Sequence, residues 1–148
     1  MDPIEIFIDY GVIGILILMS ILSVAIGIER FTFIKKVRPG DYENIKKLEI
    51  TLTRHLYIIA SIGSNAPYIG LLGTVLGIMF TFNRMGDMDT KSIMAGLSFA
   101  LKATAAGLLV AIPSVGLYNT LLRRVKEKLA EHESKDEVWK RESSTTSM

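Results

Sequence analysis

Three threonines and one lysine are the residues of this chain that could take part in chemistry within apolar surroundings. Thr74, Thr81 and Thr104 lie in long stretches without a formal charge, and Lys102 stands at the edge of such a stretch. A threonine hydroxyl does not carry a proton by titrating, but it donates and accepts hydrogen bonds and so can order water. The set therefore favours ion passage or helix contact over bond-breaking catalysis.

Two interpretations of the threonines are open at this point. In the simpler one, each hydroxyl donates to the carbonyl four residues earlier in its own helix, as membrane threonines often do. In the other, the hydroxyls line a water-accessible seam for ions or for a partner helix.

Lys102 also has two interpretations. Its ammonium can snorkel to the outer membrane surface, or it can pair with a carboxylate, because a buried ammonium without a partner is costly. It lies about 160° around the helix from Thr104, so the two do not share a face. No Asp or Glu falls well inside an apolar stretch, so a carboxylate for such a pair would come from another protein.

Other kinds of site find little support in the sequence. The chain has no cysteine, and its two histidines, His55 and His132, are isolated from each other. The glycine-rich stretch 70–77 lacks the Lys-Ser/Thr ending of a nucleotide-binding loop. We therefore expect no enzyme activity, no metal, no cofactor and no nucleic-acid partner.

Three apolar runs must position these side chains. Residues 10–28, 56–83 and 103–122 contain no Asp, Glu, Lys or Arg, and about 20 apolar residues are enough to cross a bilayer as a helix. Acidic rather than basic residues precede the first run, which argues against a signal peptide. We predict an all-α membrane protein with transmembrane helices at 10–28, 57–82 and 93–122, the first of them a lipid-facing anchor.

Charge placement predicts the orientation of these spans. Basic residues concentrate in segments 29–56 and 123–148, whereas segment 1–9 is acidic and segment 83–92 is nearly balanced. Because basic loops mark the cytoplasmic side, the N-terminus is predicted to lie outside and the C-terminus in the cytoplasm.

Both cytoplasmic segments carry helical patterns. The spacing of apolar residues in 42–54 predicts an amphipathic helix that continues into the second span. The third span is expected to continue as a cytoplasmic helix to about Glu133. From Ser134 onward the tail is polar, and we expect it to be disordered.

Small residues form one stripe on each of the last two spans. Small residues let helix backbones approach closely in lipid, so each stripe predicts packing against the chain's other span or against another chain. Pro67 and Pro113 interrupt the helical hydrogen bonds and predict either a simple kink or freed carbonyls. The stripe residues are Gly63, Pro67, Gly70, Thr74, Gly77 and Thr81 on the second span, and Gly96, Ala100, Thr104, Gly107, Ala111 and Ser114 on the third.

Two motifs on these spans resemble those of a known family. Residues 66–79, APYIGLLGTVLGIM, resemble the second-span signature of the MotA/TolQ/ExbB proton-channel family. Residues 103–108, ATAAGL, together with Ala111-Ile112-Pro113 and Tyr118-Asn119, resemble its third-span signature. The likeness covers about residues 56–120 and is greatest to the ExbB members, with TolQ next.

The resemblance implies a bacterial inner-membrane complex with a periplasmic N-terminus. A pentameric ring of such subunits would surround single-span ExbD-type helices and use proton-motive force to energise TonB. Thr74 and Thr104 would face an intramembrane Asp supplied by the ExbD-type partner. The small-residue faces would line the ion pathway, with Thr74, Thr104, Thr81, Gly70, Gly77, Ala100, Gly107 and Ala111 as its residues. The alternatives are a TolQ-type subunit of the Tol-Pal envelope system and a non-conducting scaffold for partner helices.

The chain departs from the family pattern at two positions of the third span. Phe99 stands where close relatives carry a glutamate, and Lys102 stands where they carry an apolar residue. A relay through a glutamate of this subunit is therefore not expected. Lys102 is the candidate for an electrostatic contact with a neighbouring subunit or partner.

Overall fold

The part of the chain that the structure describes contains four α-helices and one short turn of 3₁₀-helix. The computed structural model describes residues 3–147, without the side chain of Glu5. Three of the helices are long and apolar enough to cross a membrane, which confirms the predicted all-α membrane architecture. The elements are α1 (Pro3–Lys36), the 3₁₀ turn (Pro39–Asp41), α2 (Ile45–Thr53), α3 (Leu56–Asn83) and α4 (Thr90–Thr146).

The helices extend beyond the predicted spans. Helix α1 continues past both ends of the predicted span 10–28, through most of the segment 1–9 and to Lys36. Met1, Asp2 and Met148, which belong to the predicted terminal segments, lie outside the described residues. The depth of each helix in the bilayer and the side on which each loop lies stay predictions.

The helix of the basic loop does not continue into the second span, so that prediction was wrong. Helix α2 ends at Thr53, and His55 adopts a left-handed backbone with φ 66° and ψ −6°. A residue in this conformation cannot continue an α-helix, so the chain changes direction before α3 begins. The change lets Leu48 and Leu52 pack in a cluster with Leu121 and Val125 of α4.

The C-terminal tail is helical, so the predicted disorder from Ser134 was also wrong. Helix α4 runs without interruption to Thr146. Pairs of opposite charge at i,i+4 support its exposed end: Lys135 Nζ lies 3.6 Å from Glu131 Oε1, and Lys140 Nζ lies 3.4 Å from Asp136 Oδ2.

Helix α1 is more than a lipid anchor. Several of its residues at three- or four-residue intervals are buried, whereas others, such as Ile17 and Leu18, are exposed. At mid-helix the Ser23 hydroxyl lies 2.9 Å from the Ser114 hydroxyl of α4. One face of α1 therefore packs against the other spans, and the opposite face is exposed. The buried residues of α1 are Val12, Leu16, Ser23, Gly27, Arg30 and Ile34.

Asp89 caps the N-terminus of α4 and so fixes where the third span starts. Its carboxylate accepts hydrogen bonds from the Ser92 hydroxyl and, at 3.3 Å, from the Ser92 backbone N–H. Both bonds hold the pKa of Asp89 below its usual value, and the bond from the Ser92 hydroxyl has the larger effect. The cap is therefore ionised at neutral pH, and its contribution is lost only as the pH falls through that lowered pKa.

Candidate functional site

The backbones of α3 and α4 touch where their small-residue stripes meet. A Cβ atom placed on Gly70 would lie 2.6 Å from the Ala103 carbonyl oxygen and 3.1 Å from the Gly107 Cα. A Cβ on Gly107 would lie 2.6 Å from the Ala66 carbonyl oxygen. The two distances of 2.6 Å are shorter than a Cβ tolerates and are to backbone atoms, so only glycine fits at either position without a shift of the helices. The partner of each stripe in the structure is thus the chain's other stripe.

The contact continues along both helices. Towards the Asp89 end, an added Cβ on Gly77 would lie 2.8 Å from the Ala100 Cβ, and one on Gly96 would lie 2.7 Å from Thr81 Oγ1. The opposite end of the spans, next to the basic segments 29–56 and 123–148, is called the basic end. Towards it, an added Cβ on Gly63 would lie 2.8 Å from Val115 Cγ2. Close packing of this kind replaces the hydrophobic drive that helices lack in lipid.

Thr74 and Thr104 meet at the centre of this contact. Their hydroxyl oxygens are 2.5 Å apart, and Thr74 Oγ1 is also 3.0 Å from the Ala100 carbonyl oxygen and 3.3 Å from that of Gly70. Thr74 is 6% exposed, whereas Thr104 is half-buried. The Thr74 hydroxyl therefore lies inside the helix pair, and the Thr104 hydroxyl lies at its edge.

This arrangement gives the hydroxyl pair two hydrogen-bonded states. A hydroxyl has one proton and two lone pairs, so Thr74 donates either to a backbone carbonyl or to Thr104. In the first state Thr74 accepts from Thr104; in the second, the Thr104 proton is free to point away from the helix pair. Thr104 can thus offer a donor or an acceptor to a group outside, while Thr74 stays satisfied in both states.

Thr81 has a more local role in the single chain. Its hydroxyl donates to the Gly77 carbonyl oxygen at 2.9 Å, and its side chain covers Gly96. The simpler interpretation, a bond to the carbonyl four residues earlier, thus fits Thr81 fully and Thr74 in part.

Exposure divides the predicted pathway residues into two groups. Thr104 and Gly77 keep part of their surface exposed, and Pro67 is also half-buried. Pro113 is exposed and lies on the side of α4 that faces α1. The others are buried within the helix pair: Gly70, Thr74, Thr81, Ala100, Gly107 and Ala111.

Lys102 is exposed on α4, away from the α3 contact. Its ammonium lies 5.2 Å from the centre of the Phe99 ring, within the range of a cation–π interaction. Lys102 forms no salt bridge with the part of the chain that the structure describes. Phe99 and Lys102, the two positions expected to depart from the family pattern, are therefore in contact with each other, and the charge still points outward.

Sequence reasoning missed two polar residues of α1 that bond to other helices, Ser23 to the span α4 and Arg30 to α2 of the basic loop. Ser23 bonds to Ser114, and buried Arg30 donates to the Thr51 carbonyl oxygen at 3.3 Å and pairs with Glu29. Ser23, Gly27, Arg30 and Ile34 recur at helical spacing, a pattern that indicates a packed face. The pattern is weak in the sequence because the run as a whole is so apolar.

Comparison with known proteins places these features in a family. Residues 34–134 match the model of the MotA/TolQ/ExbB proton channel family. The chain is 52% identical over 137 residues to the biopolymer transport protein ExbB of Aquifex aeolicus, covering 90% of this chain and 93% of that protein. It is 51% identical over 121 residues to that of Helicobacter pylori, covering 80% of this chain and 83% of that protein.

A shorter match extends to a more distant relative. The chain is 48% identical over 71 residues to the biopolymer transport protein ExbB of Neisseria gonorrhoeae, which covers 46% of this chain and 32% of that protein. The family match includes α2, α3 and most of α4, and the two nearly full-length relatives extend it over most of the chain. The chain belongs to the MotA/TolQ/ExbB proton channel family.

Proposed function

We propose that this chain is the wall-forming subunit of an inner-membrane proton channel that energises TonB-dependent outer-membrane transport. The observation that carries the proposal is the Thr74–Thr104 hydroxyl pair, which stands in the middle of two spans that contain no carboxylate. A proton pathway through such spans needs a titrating group from elsewhere. An ExbD-type single-span partner with an intramembrane Asp would supply it, and TonB would receive the work.

The roles of the residues follow from their exposure. Thr104, at the edge of the helix pair, would hydrogen-bond the partner's carboxyl group or the water next to it. Thr74 would hold the Thr104 hydroxyl in either of its two orientations. The buried glycines would not contact the ion; they would fix the two helices at the distance that the hydroxyl pair requires.

Several copies of the chain would be needed to enclose a pathway. Both α3 and α4 leave large apolar side chains exposed on the faces that do not meet each other, among them Leu72, Val75, Leu101 and Leu109. Neighbouring copies and lipid would cover these faces. We propose a pentameric ring with a periplasmic N-terminus and a cytoplasmic C-terminus.

A scaffold without conduction is the second candidate. The observation in its favour is that most predicted pathway residues are buried within one chain, where they would serve assembly alone. The names of the relatives favour an ExbB-type role over a TolQ-type role, but they do not separate a channel from a scaffold.

Proton flux separates the two candidates. The chain and its ExbD-type partner are reconstituted together into liposomes that contain a pH-sensitive dye, with each protein alone as the control. A channel predicts flux above that of protein-free liposomes only when both proteins are present. A scaffold predicts a stable complex, seen by size-exclusion chromatography of the same sample, with flux no higher than the background.

Replacing Lys102 tests the proposed electrostatic contact. Because the ammonium is exposed and has no salt bridge with the described residues, Lys102→Leu should weaken binding to a neighbouring subunit or partner by about tenfold. Lys102→Arg, which keeps the charge, serves as the control. Binding is measured by co-purification at graded protein concentrations. Normal assembly together with normal TonB-dependent uptake in the Leu variant would contradict the proposed electrostatic contact of Lys102.

A further inference from the structure

An apolar groove lies between α1 and α4 near the basic end of the spans. It has a volume of about 390 Å³. Thr32, its one hydroxyl-bearing residue, donates that hydroxyl to the Ile28 carbonyl oxygen at 3.0 Å, so it leaves no unsatisfied donor in the groove. The groove is lined from α1 by Val24, Gly27, Ile28, Phe31 and Thr32 and from α4 by Pro113 and Leu117.

The groove owes its shape to one glycine. A Cβ on Gly27 would lie 2.1 Å from Leu117 Cδ2, so the absence of a side chain lets Leu117 pack against α1 as the floor. Val24 and Ile28 form the rim, with 51% and 65% of their surface exposed. Exposed apolar surface in a membrane helix needs lipid or another apolar group to cover it.

Cations stand where the groove reaches the basic end. The Arg124 guanidinium carbon lies 4.5 Å from the centre of the Phe31 ring, which lines the groove. Arg124 also lines an adjoining pocket of about 240 Å³, which holds Lys35 and Lys128. Lys128 donates to the Val37 carbonyl oxygen at 3.2 Å.

The carboxylates of the adjoining pocket are engaged with other cations. Glu127 Oε1 lies 3.3 Å from Arg123 Nε, and Glu131 Oε1 lies 3.6 Å from Lys135 Nζ. They therefore neutralise Arg124 and Lys35 only in part. The result is an apolar groove that ends at a positively charged pocket, near the level where the headgroups of one leaflet would lie.

We propose that the groove holds one acyl chain of an anionic glycerophospholipid, whose phosphate binds at Arg124 and Lys35. Basic pockets beside membrane helices attract anionic headgroups, and a guanidinium suits a phosphate in charge and geometry. Stacking on Phe31 restrains Arg124 at the mouth of the groove. A partner helix could cover the apolar part, but it would have to bring a carboxylate to the cations, and a phospholipid satisfies both ends with one molecule.

Titration of the full-length chain with defined lipids tests the site. Phosphatidylglycerol and phosphatidylcholine with the same acyl chains are added in detergent, and bound lipid is counted by native mass spectrometry. The wild-type chain should prefer phosphatidylglycerol, and Arg124→Gln should weaken binding of that lipid about fivefold. Binding of phosphatidylcholine, whose phosphate charge is balanced by its own ammonium group, should fall less. Lys126→Gln, which removes an exposed cation of α4 that lines neither the groove nor the adjoining pocket, should have no effect.

A second pair of variants tests the apolar half. Val24→Trp fills the groove and should weaken binding of both lipids, whereas Leu18→Trp, at a similarly exposed position of α1 outside the groove, should not. Equal binding of the two lipids by the wild type would overturn the proposal, as would equal losses in the Arg124 and Lys126 variants. Variants that changed association between protein chains and left lipid binding intact would assign the groove to a partner helix and overturn it as well.

Discussion

Replacing Gly107 with alanine is expected to push α3 and α4 apart and to destabilise the chain by about 1–3 kcal/mol. The added Cβ would meet the Ala66 carbonyl oxygen at 2.6 Å and the Gly70 Cα at 3.1 Å. Both are backbone atoms, so the clash cannot be relieved by turning a side chain. The same separation would break the Thr74–Thr104 hydrogen bond, and proton flux should fall with stability. Thermal unfolding of the detergent-solubilised chain measures the first effect.

Gly116→Ala is the matched control for this change. Gly116 lies on the same helix, but a Cβ there would have no heavy atom within 4 Å outside its own local backbone. The control variant should therefore unfold at the wild-type temperature or slightly above it, because alanine has a higher helix propensity than glycine. Equal behaviour of the two variants would mean that the close contact between Gly107 and α3 does not exist in the folded protein.

Removal of the two central hydroxyls should have the largest effect on conduction. The double variant Thr74→Val/Thr104→Val keeps the shape of both side chains but replaces each hydroxyl with a methyl group. Because the pair is the proposed hydrogen-bonding contact with the pathway, flux through the reconstituted complex should fall at least about tenfold, which corresponds to about 1.4 kcal/mol in the barrier. The fall should occur without loss of assembly.

Two further variants separate chemistry from packing. Serine at both positions keeps the hydroxyls and should retain most of the flux. Thr120→Val removes a threonine hydroxyl of α4 that bonds to the Gly116 carbonyl oxygen at 2.9 Å on the exposed surface, and it should leave flux unchanged. Equal flux in the wild type and the double valine variant would contradict a pathway at this pair.

The position of the candidate site on each helix could be predicted because its residues are small and regularly spaced. Helical geometry alone brings Gly70 and Thr74 onto one face of α3, and Thr104 and Gly107 onto one face of α4. Periodicity cannot say whether such a face meets another span of the same chain or another chain. In the structure the two faces meet each other. Their contact buries Thr74 and leaves Thr104 partly exposed, a difference that periodicity does not predict.

Other features left weaker signals in the sequence. The left-handed conformation of His55 is adopted by a residue that is neither glycine nor proline, so no local pattern marks the break between α2 and α3. The helical tail could have been predicted from the Glu131–Lys135 and Asp136–Lys140 spacings, which a composition argument does not consider. The contact between Ser23 and Ser114 depends on how two distant helices cross, and no local rule predicts that.

The central claim is that this chain forms the wall of a proton pathway and that a partner supplies the titrating group. The most direct test is proton flux into liposomes that contain this chain with its ExbD-type partner, measured with the partner's intramembrane Asp intact and with that Asp changed to Asn. The account predicts flux with the Asp and background flux with the Asn, although both complexes assemble. Undiminished flux in the Asn complex would show that the titrating group lies elsewhere and would contradict the account.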